Sequence, residues 1–406
     1  MAVALRLIVV WLLISMTSSA MAQVKSFDQC LRDIRTTAGE RGVSDQTTTQ
    51  LLASLTPNPR VIELDRRQPE FTSTLHDYLN RRVTATRIEQ GQARLARHQS
   101  LLDRLTQQYG VPGRYIIAFW GLETHYGSYV GKMSTVRSLA TLACDRRRGA
   151  FFRDQLIAAL ELVDTNTLRP EQLKGSWAGA LGNFQFLPSV YRDHAVDADG
   201  DGRADLWASF ADAAESAAAF LRARGWVAGE RWGREVVLPE SFDFSLLDTT
   251  RSVREWQTLG LRQTNQRALA DTDIEATLFL PAGRRGPAFL TYANFDVIMR
   301  WNPSRFYALS VGHLADRLIG AGPLYNPPPD DPPLRIEQVK QIQQVLNQQG
   351  HDAGSVDGRI GPATRAALQA FQTTQGLSAD GYPDSQTLAA LGIDRDDSEP
   401  STRNKE

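Results

Sequence analysis

The sequence predicts a mainly α-helical protein with one large and one small domain. Apolar residues recur at spacings of three and four, for example in Leu101 to Tyr109 and Phe151 to Val163, whereas strand patterns are few. The segment 326–334 is rich in proline, which lacks an amide donor and favours an extended spacer. A chain of 406 residues exceeds what one core usually contains. We therefore place the large domain at 23–325 and the small domain at 335–392.

The first 22 residues predict a secretory signal peptide. Arg6 precedes an apolar run, Leu7 to Ile14, and the small residues Ala20-Met21-Ala22 follow it. The run is shorter than the about 20 residues that a membrane-spanning helix needs. We therefore expect cleavage after Ala22 and no stable membrane insertion, and Cys30 lies too deep in the mature chain for lipid attachment. The polar, charged segment 393–406 is predicted to be a disordered tail.

Charge and cysteine content narrow the function classes. The formal net charge of -1 provides no broad positive surface, so nucleic acid is not an expected partner. The two cysteines are Cys30 and Cys144, and export leads to an oxidising compartment that permits them to form a disulfide. Two separate buried thiols remain the alternative, because the sequence does not give the distance between them.

The strongest candidate for chemistry is Glu123, which ends an apolar helix within Phe119-Trp120-Gly121-Leu122-Glu123-Thr124-His125-Tyr126-Gly127. Aromatic, poorly solvated surroundings disfavour a carboxylate and raise its pKa. A carboxyl group that stays protonated near neutral pH is able to act as a general acid. The structural alternative is a helix-end glutamate that is paired with a local base or turned to solvent.

A second block, Gly175 to Pro188, interleaves small residues with aromatic and amide side chains. Small residues let a ligand approach the backbone. Trp177 and Phe184 are candidates for stacking on sugar rings, and Ser176 and Gln185 for hydrogen bonds to hydroxyl or acetamido groups. A Gly/Ala-rich turn between packed helices is the alternative interpretation.

An acidic loop follows this block and matches positions 1, 3, 5, 6 and 9 of an EF-hand calcium loop. Ala208 replaces the acid expected at position 12, so Asp212 or water would have to compensate. A metal-free Asp/Gly turn accounts for the same residues. The candidate ligands of a structural calcium are Asp197, Asp199, Asp201, Arg203 and Asp205.

Four blocks in one order, over about 27–320, resemble the lytic transglycosylase B family: Gly121 to Gly127, Ser176 to Pro188, the acidic loop, and Asn294 to Asn302. The resemblance implies a lysozyme-like helical catalytic domain with Glu123 as acid and base. It implies Ser176 and Gln185 as substrate contacts and Asn294 as a further polar group of the active site. Phe220 stands where family members present a tyrosine, so the ring is kept and the hydroxyl is lost. The family also places a calcium ion in the acidic loop.

The reaction implied by the resemblance needs one carboxyl group where glycosidases ordinarily need two. The 6-hydroxyl of N-acetylmuramic acid (MurNAc) attacks its own anomeric carbon, which breaks the β-1,4 bond to N-acetylglucosamine (GlcNAc) and leaves a 1,6-anhydro end. No cofactor is required. A muramidase-type hydrolase that uses Asp145 or Asp193 as second carboxylate is the alternative chemistry, and a non-catalytic peptidoglycan-binding scaffold is the alternative class.

The small domain contains a near-repeat, Asp357 to Thr364 and Asp380 to Thr387, in which an Asp-Gly turn leads into a helix. With the preceding helix it predicts a three-helix unit. This segment resembles the peptidoglycan-binding type 1 domain. Together the resemblances imply a periplasmic protein of cell-wall turnover that binds peptidoglycan glycan strands, with cell-wall synthesis or divisome proteins as further partners.

Overall fold

The computed structural model describes residues 26–66 and 73–394. The predicted signal peptide lies outside these residues, as does the tail beyond 394. The fold is mainly α-helical, as the sequence predicts. The helices of the large domain are α1 (Phe27–Glu40), α2 (Asp45–Leu52), α3 (Pro59–Arg66), α4 (Leu75–Arg82), α5 (Ala85–Arg97), α6 (Gln99–Tyr109), α7 (Gly113–Thr124), α8 (Thr135–Ala143), α9 (Gly149–Asp164), α10 (Pro188–His194), α11 (Phe210–Ala223), α12 (Val253–Thr258), α13 (Ala293–Trp301) and α14 (Arg305–Leu318).

Helix α7 forms the centre of the large domain. It is buried along almost its whole length and packs against α5, α6, α11 and α14, as expected of a helix that is apolar on every side. Gly121 brings the helix close to the ring of Tyr126, because a Cβ atom at this position would lie 2.7 Å from the ring. This close packing places the last turn of α7, and therefore Glu123, at the inner surface of the domain.

A five-stranded antiparallel sheet interrupts the helices, and the sequence did not predict it. Its strand order is β4-β6-β7-β3-β5, and it has its own apolar core around Trp256. The strands are two to five residues long, too short for a clear alternation of apolar and polar residues. The strands are β3 (Gly233–Val237), β4 (Thr250–Ser252), β5 (Arg262–Gln263), β6 (Glu275–Phe279) and β7 (Ala288–Thr291), and a separate pair is formed by β1 (Met133–Ser134) and β2 (Lys174–Gly175).

The small domain is the predicted three-helix unit, with α15 (Ile336–Gln348), α16 (Pro362–Thr374) and α17 (Ser385–Ala390). Its two Asp-Gly turns are built alike. Gln343 donates to Asp357 Oδ1 and accepts from the amide of Gly358, and Gln372 makes the same contacts with Asp380 and Gly381. Ile393 is buried in the core of this domain, so the ordered unit extends past the predicted boundary at 392.

The proline-rich segment 326–334 contains no helix or strand, and it contacts the large domain. The amide of Asn326 donates to Glu235 at 2.7 Å, and Arg285 pairs with Asp331 at 2.6 Å. Side chains of the large domain therefore hold the segment at Asn326 and at Asp331, which restrains it more than proline stiffness alone.

The second Asp-Gly turn of the small domain docks on the large domain. The amide of Arg284 donates to Asp380 Oδ2 at 2.7 Å. Gly283 has a left-handed φ of 65°, and a Cβ atom at this position would lie 2.6 Å from Cβ of Tyr382. The two domains consequently meet at a close contact that leaves no room for a larger residue at Gly283.

Cys30 and Cys144 form a disulfide with a Cα–Cα distance of 5.8 Å, joining α1 to the end of α8 across a sequence separation of 114 residues. We predict that Cys30→Ala/Cys144→Ala lowers the free energy of unfolding by about 2–5 kcal/mol, because the bond restricts a long loop in the unfolded chain. Urea unfolding of the oxidised wild type and the variant is the measurement. Equal unfolding midpoints, or two reactive thiols per unfolded, unreduced chain, would contradict it.

Candidate active site

Glu123 lies in the last turn of α7 and contacts Trp301, which lines a cleft. The helix ends abruptly because His125 and Tyr126 adopt left-handed backbone conformations, with φ values of 52° and 60°. Part of the Glu123 side chain is solvent-accessible, although protein surrounds it densely. The C-terminal end of a helix carries partial negative charge, which is also unfavourable for a carboxylate.

Two side chains donate hydrogen bonds to the same oxygen of Glu123. Trp301 Nε1 donates to Oε1 at 2.9 Å, and the hydroxyl of Tyr307 donates to Oε1 as well. Burial raises the pKa of Glu123, and these two hydrogen bonds with the charge of Arg82 reduce the shift without cancelling it. Because Oε1 accepts both bonds, the proton of the neutral acid belongs on Oε2.

A cluster of aromatic rings fixes the indole of Trp301. Its ring centroid lies 4.4 Å from that of Phe119 and 5.3 Å from those of Phe186 and Phe220. Phe184 adds an edge contact at 6.3 Å. Close packing of this kind restricts side-chain rotation, so the Trp301 donor stays directed at Glu123.

The cleft has a volume of about 1680 Å³ and is lined by both domains. The large domain contributes Trp177, Gln185, Phe220, Trp301 and the segment Asn302 to Phe306. The small domain contributes the start of α16, including Pro362 and Arg365. A volume of this size exceeds that of an ordinary small-molecule pocket and is large enough for several sugar units.

The second sequence block meets the indole that contacts Glu123, because the rings of Phe184 and Phe186 pack on Trp301. Antiparallel pairing of Met133 with Gly175 holds the block against the loop that follows α7. Ser176 is partly exposed, and its Oγ accepts from the amide of Ala180 at 3.1 Å. Gln185 lines the cleft while its Nε2 donates to the carbonyl of Val130 at 3.1 Å. This hydrogen bond fixes the side-chain amide of Gln185 and therefore the direction of its Oε1.

Three predicted contacts have different positions. Phe184 is 1% exposed and belongs to the ring cluster, not to a sugar-stacking surface. Phe220 is also mostly buried, yet its ring lines the cleft. Asn294 is 0% exposed, and its side chain bonds only the backbone of Val227 and Glu230. Asn294 therefore holds the backbone of the loop that contains Val227 and Glu230, and it does not line the cleft.

Sequence reasoning missed Asn302 and Tyr307, which lie in or just beyond the block that contains Asn294. Asn302 lines the cleft directly after Trp301, and Tyr307 contacts Glu123 from α14. The available signal for Asn302 was the helix break at Pro303, because loops between helices often carry binding residues. No such signal marked Tyr307, which is buried in α14.

The acidic loop brings three carboxylates together. Ligand oxygens of Asp197, Asp199 and Asp212 lie within 4.8 Å of one another. Asp201 and Asp205 instead accept hydrogen bonds from amides of the loop, and Asp197 accepts from the amides of Gly200 and Gly202. Asp212, which lies on α11, belongs to this group although its two oxygens also accept from the amides of Ala198 and Asp205. Three hard oxygen donors held close together fit Ca²⁺.

Comparison with family models decides the classification. The model described as "Transglycosylase SLT domain" matches residues 26–316, and a peptidoglycan binding domain model matches 335–391. The chain belongs to the transglycosylase SLT family.

Similar proteins agree with this assignment. The chain is 43% identical to SltB3 from Pseudomonas aeruginosa, solved in complex with NAG-anhNAM-pentapeptide, over 91% of this chain and 100% of that one, with a TM-score of 0.85. It is 29% identical to the Escherichia coli lytic transglycosylase Slt35 in complex with calcium, over 71% of this chain and 92% of that one, with a TM-score of 0.61.

A curated relative matches over a shorter stretch. The membrane-bound lytic murein transglycosylase B of Escherichia coli K12 is 33% identical over 243 residues, which is 58% of this chain and 65% of that protein. Within the described part of this transglycosylase SLT protein, no helix has the length and apolar character to cross a membrane.

The carboxylates considered for a hydrolase, Asp145 and Asp193, are not among the interacting partners of Glu123 within the described residues. Asp145 pairs with Arg66 at 3.5 Å and Asp193 with Arg192 at 2.7 Å. Neither lines the cleft within the described residues, where the acidic side chains are Asp248 and Asp380. Asp193 has a lowered pKa because Arg192 donates to it, which opposes use as a proton acceptor.

We predict that Tyr307→Phe moves the alkaline limb of the activity profile to higher pH. The hydrogen bond from Tyr307 lowers the pKa of Glu123. Its removal therefore raises that pKa, and Glu123 stays protonated up to a higher pH. Activity should fall by about 10-fold at the optimum, as expected for one hydrogen bond that orients the acid. Profiles of kcat/KM for wild type and variant give the comparison. Tyr126→Phe, which does not contact Glu123, is the control, and an unmoved limb would refute the role of Tyr307.

Proposed function

We propose that the protein is a lytic transglycosylase that cleaves the MurNAc–GlcNAc β-1,4 bond of peptidoglycan and leaves 1,6-anhydro-MurNAc ends. The observation that carries the proposal is that burial raises the pKa of Glu123, while the described groups that act on it are Tyr307, Trp301 and Arg82, with no second carboxylate among them. A hydrolase needs a second carboxylate to activate water or to form a covalent intermediate. An attack by the substrate's own hydroxyl does not.

The proposed mechanism uses Glu123 twice. Oε2 donates its proton to the glycosidic oxygen as the bond to the leaving sugar breaks. The resulting carboxylate is stabilised by the donors Tyr307 and Trp301, which already point at Oε1 and need no reorganisation. Glu123 then accepts the proton of the muramyl 6-hydroxyl while that oxygen bonds to the anomeric carbon. The acid is thereby regenerated.

The cleft side chains supply substrate positioning. Trp177 and Phe220 present ring surface to a sugar, while Ser176 and Gln185 present polar atoms fixed by backbone contacts. Asn302 takes the place predicted for Asn294. Phe184 acts behind the cleft surface by packing against Trp301.

The cellular setting follows from substrate and sequence. The signal-like N-terminus and the disulfide support export to the periplasm. Peptidoglycan glycan strands are the proposed ligand of both domains, because the second family model is a peptidoglycan binding domain. Proteins of cell-wall synthesis or division are proposed as further partners.

We also propose a structural calcium in the acidic loop, held by Asp197, Asp199 and Asp212. A calcium ion there would join the loop to α11, on which Asp212 lies, and neutralise three neighbouring carboxylates. It takes no part in the proposed reaction, because the loop carboxylates do not line the cleft.

The test of the reaction is Glu123→Gln, which keeps the shape of the side chain and removes the transferable proton. Turnover of purified sacculi should fall by at least ~100-fold while glycan binding persists. Asp193→Asn is the matched control and should retain activity. Mass spectrometry of wild-type products should show 1,6-anhydro ends; reducible ends, or inactivation by Asp193→Asn, would establish a hydrolase.

The calcium proposal predicts a rise in Tm of roughly 2–4 °C when calcium is added after chelation, since a ligand of the folded state stabilises it. Asp199→Asn should abolish the rise, whereas Asp201→Asn should retain it because Asp201 lies outside the carboxylate group. Differential scanning calorimetry measures both. A wild-type Tm that does not change when calcium is added would identify the loop as a plain Asp/Gly turn.

A further inference from the structure

Arg365 is an unusual cation on the small-domain side of the cleft. It lies in α16 and lines both the main cleft and a smaller cavity of about 490 Å³ between the domains. Within the described chain its guanidinium makes no hydrogen bond, ion pair or ring contact. Other arginines of the cleft are engaged: Arg148 pairs with Asp65, Arg300 donates to the carbonyl of Arg224, and Arg224 lies over Phe220.

Arg305 faces Arg365 from the large domain. It is the first residue of α14, pairs with Asp248 at 2.7 Å and lies over the ring of Phe279. Burial, followed by the positive charge of Arg305, lowers the pKa of Arg365. Asp248 is the acidic group that offsets these charges, and Asp380 is occupied by amide donors from Arg284, Gln372 and Tyr382. Among the described residues Asp248 pairs with Arg305, so Arg365 is left without a bonded carboxylate.

An unpaired, densely surrounded charge is costly for a folded protein. The cost is offset when a ligand of opposite charge binds, and a guanidinium binds a carboxylate through two parallel hydrogen bonds. The position of Arg365 and Arg305 in the cleft indicates which carboxylate of a ligand they bind. Residues Trp301 to Arg305 line the cleft without interruption, so the pair lies one loop away from the indole that contacts Glu123.

We propose that Arg365 and Arg305 form an anion site, built from both domains, that binds a carboxylate of the stem peptide on a muramyl residue in the cleft. This inference rests on the proposed function. The sugar being cleaved lies at Glu123 in the large domain, whereas Arg365 belongs to the small domain. A carboxylate at the junction therefore belongs to a substituent that extends away from the ring, and the stem peptide is such a substituent. The site makes the enzyme selective for peptide-bearing strands.

The experiment compares glycan strands that carry stem peptides with the same strands after an amidase has removed them, which leaves the lactyl carboxylate on the ring. Arg365→Gln and Arg305→Gln in the full chain should each raise KM for peptide-bearing strands by about 10-fold or more, the effect of losing one charge-assisted interaction. Their kcat, and their KM for peptide-free strands, should stay within about twofold of wild type. Lys340→Gln removes a partly exposed positive charge from the same domain and should change KM for neither substrate.

Each result separates the possible origins of an effect. An equal rise in KM for both substrates would overturn the proposal, because it would show either recognition of the lactyl carboxylate or a general loss of the cleft wall. Unchanged KM values would overturn it as well. The proposed function fails separately, if the wild-type enzyme releases products without 1,6-anhydro ends from either substrate.

Discussion

The structure depends on placing one carboxyl group at the end of a buried apolar helix. Protein surrounds the last turn of α7. The left-handed residues His125 and Tyr126 end the helix directly after this turn, which keeps Glu123 away from the outer surface. Burial and the helix end both disfavour the charged form. The hydrogen bonds that Trp301 and Tyr307 donate to Oε1 limit the rise in the pKa of Glu123, because they stabilise the carboxylate that must form during the reaction. An acid that serves as donor and then acceptor needs both influences.

The surrounding fold supports this arrangement in layers. The rings of Phe119, Phe186 and Phe220 hold Trp301, and α14 presents Tyr307 to the same oxygen of Glu123. The disulfide and the β1–β2 pairing fix elements further from the acid. The small domain completes the cleft, since the contact between Arg284 and Asp380 places α16 opposite Trp301. Substrate selection can therefore involve both domains although the chemistry belongs to one.

The sequence predicted those features that depend on local pattern. Helical periodicity, the apolar run before Glu123 and the Asp-Gly turns of the small domain each lie within one short segment, and the structure has all of them. Features that depend on packing between distant segments could not be derived in this way. The sheet is built from strands too short to show alternation. The sequence block around Asn294 predicted a site residue. Its hydrogen-bond partners, Val227 and Glu230, lie far away in sequence, so the block did not reveal its structural role. The donors to Glu123 come from 178 and 184 residues further along the chain.

The central claim is that burial raises the pKa of Glu123 and so favours the acid form with which the mechanism begins. NMR titration of protein labelled with ¹³C at the glutamate carboxyl groups, with Glu123→Gln to assign the signal, measures it directly. The account predicts that the Glu123 resonance titrates clearly above the ordinary glutamate pKa of 4.5, and that Tyr307→Phe moves the transition higher still. A Glu123 resonance that titrates at or below the ordinary value would show a resting carboxylate and would contradict the single-acid mechanism.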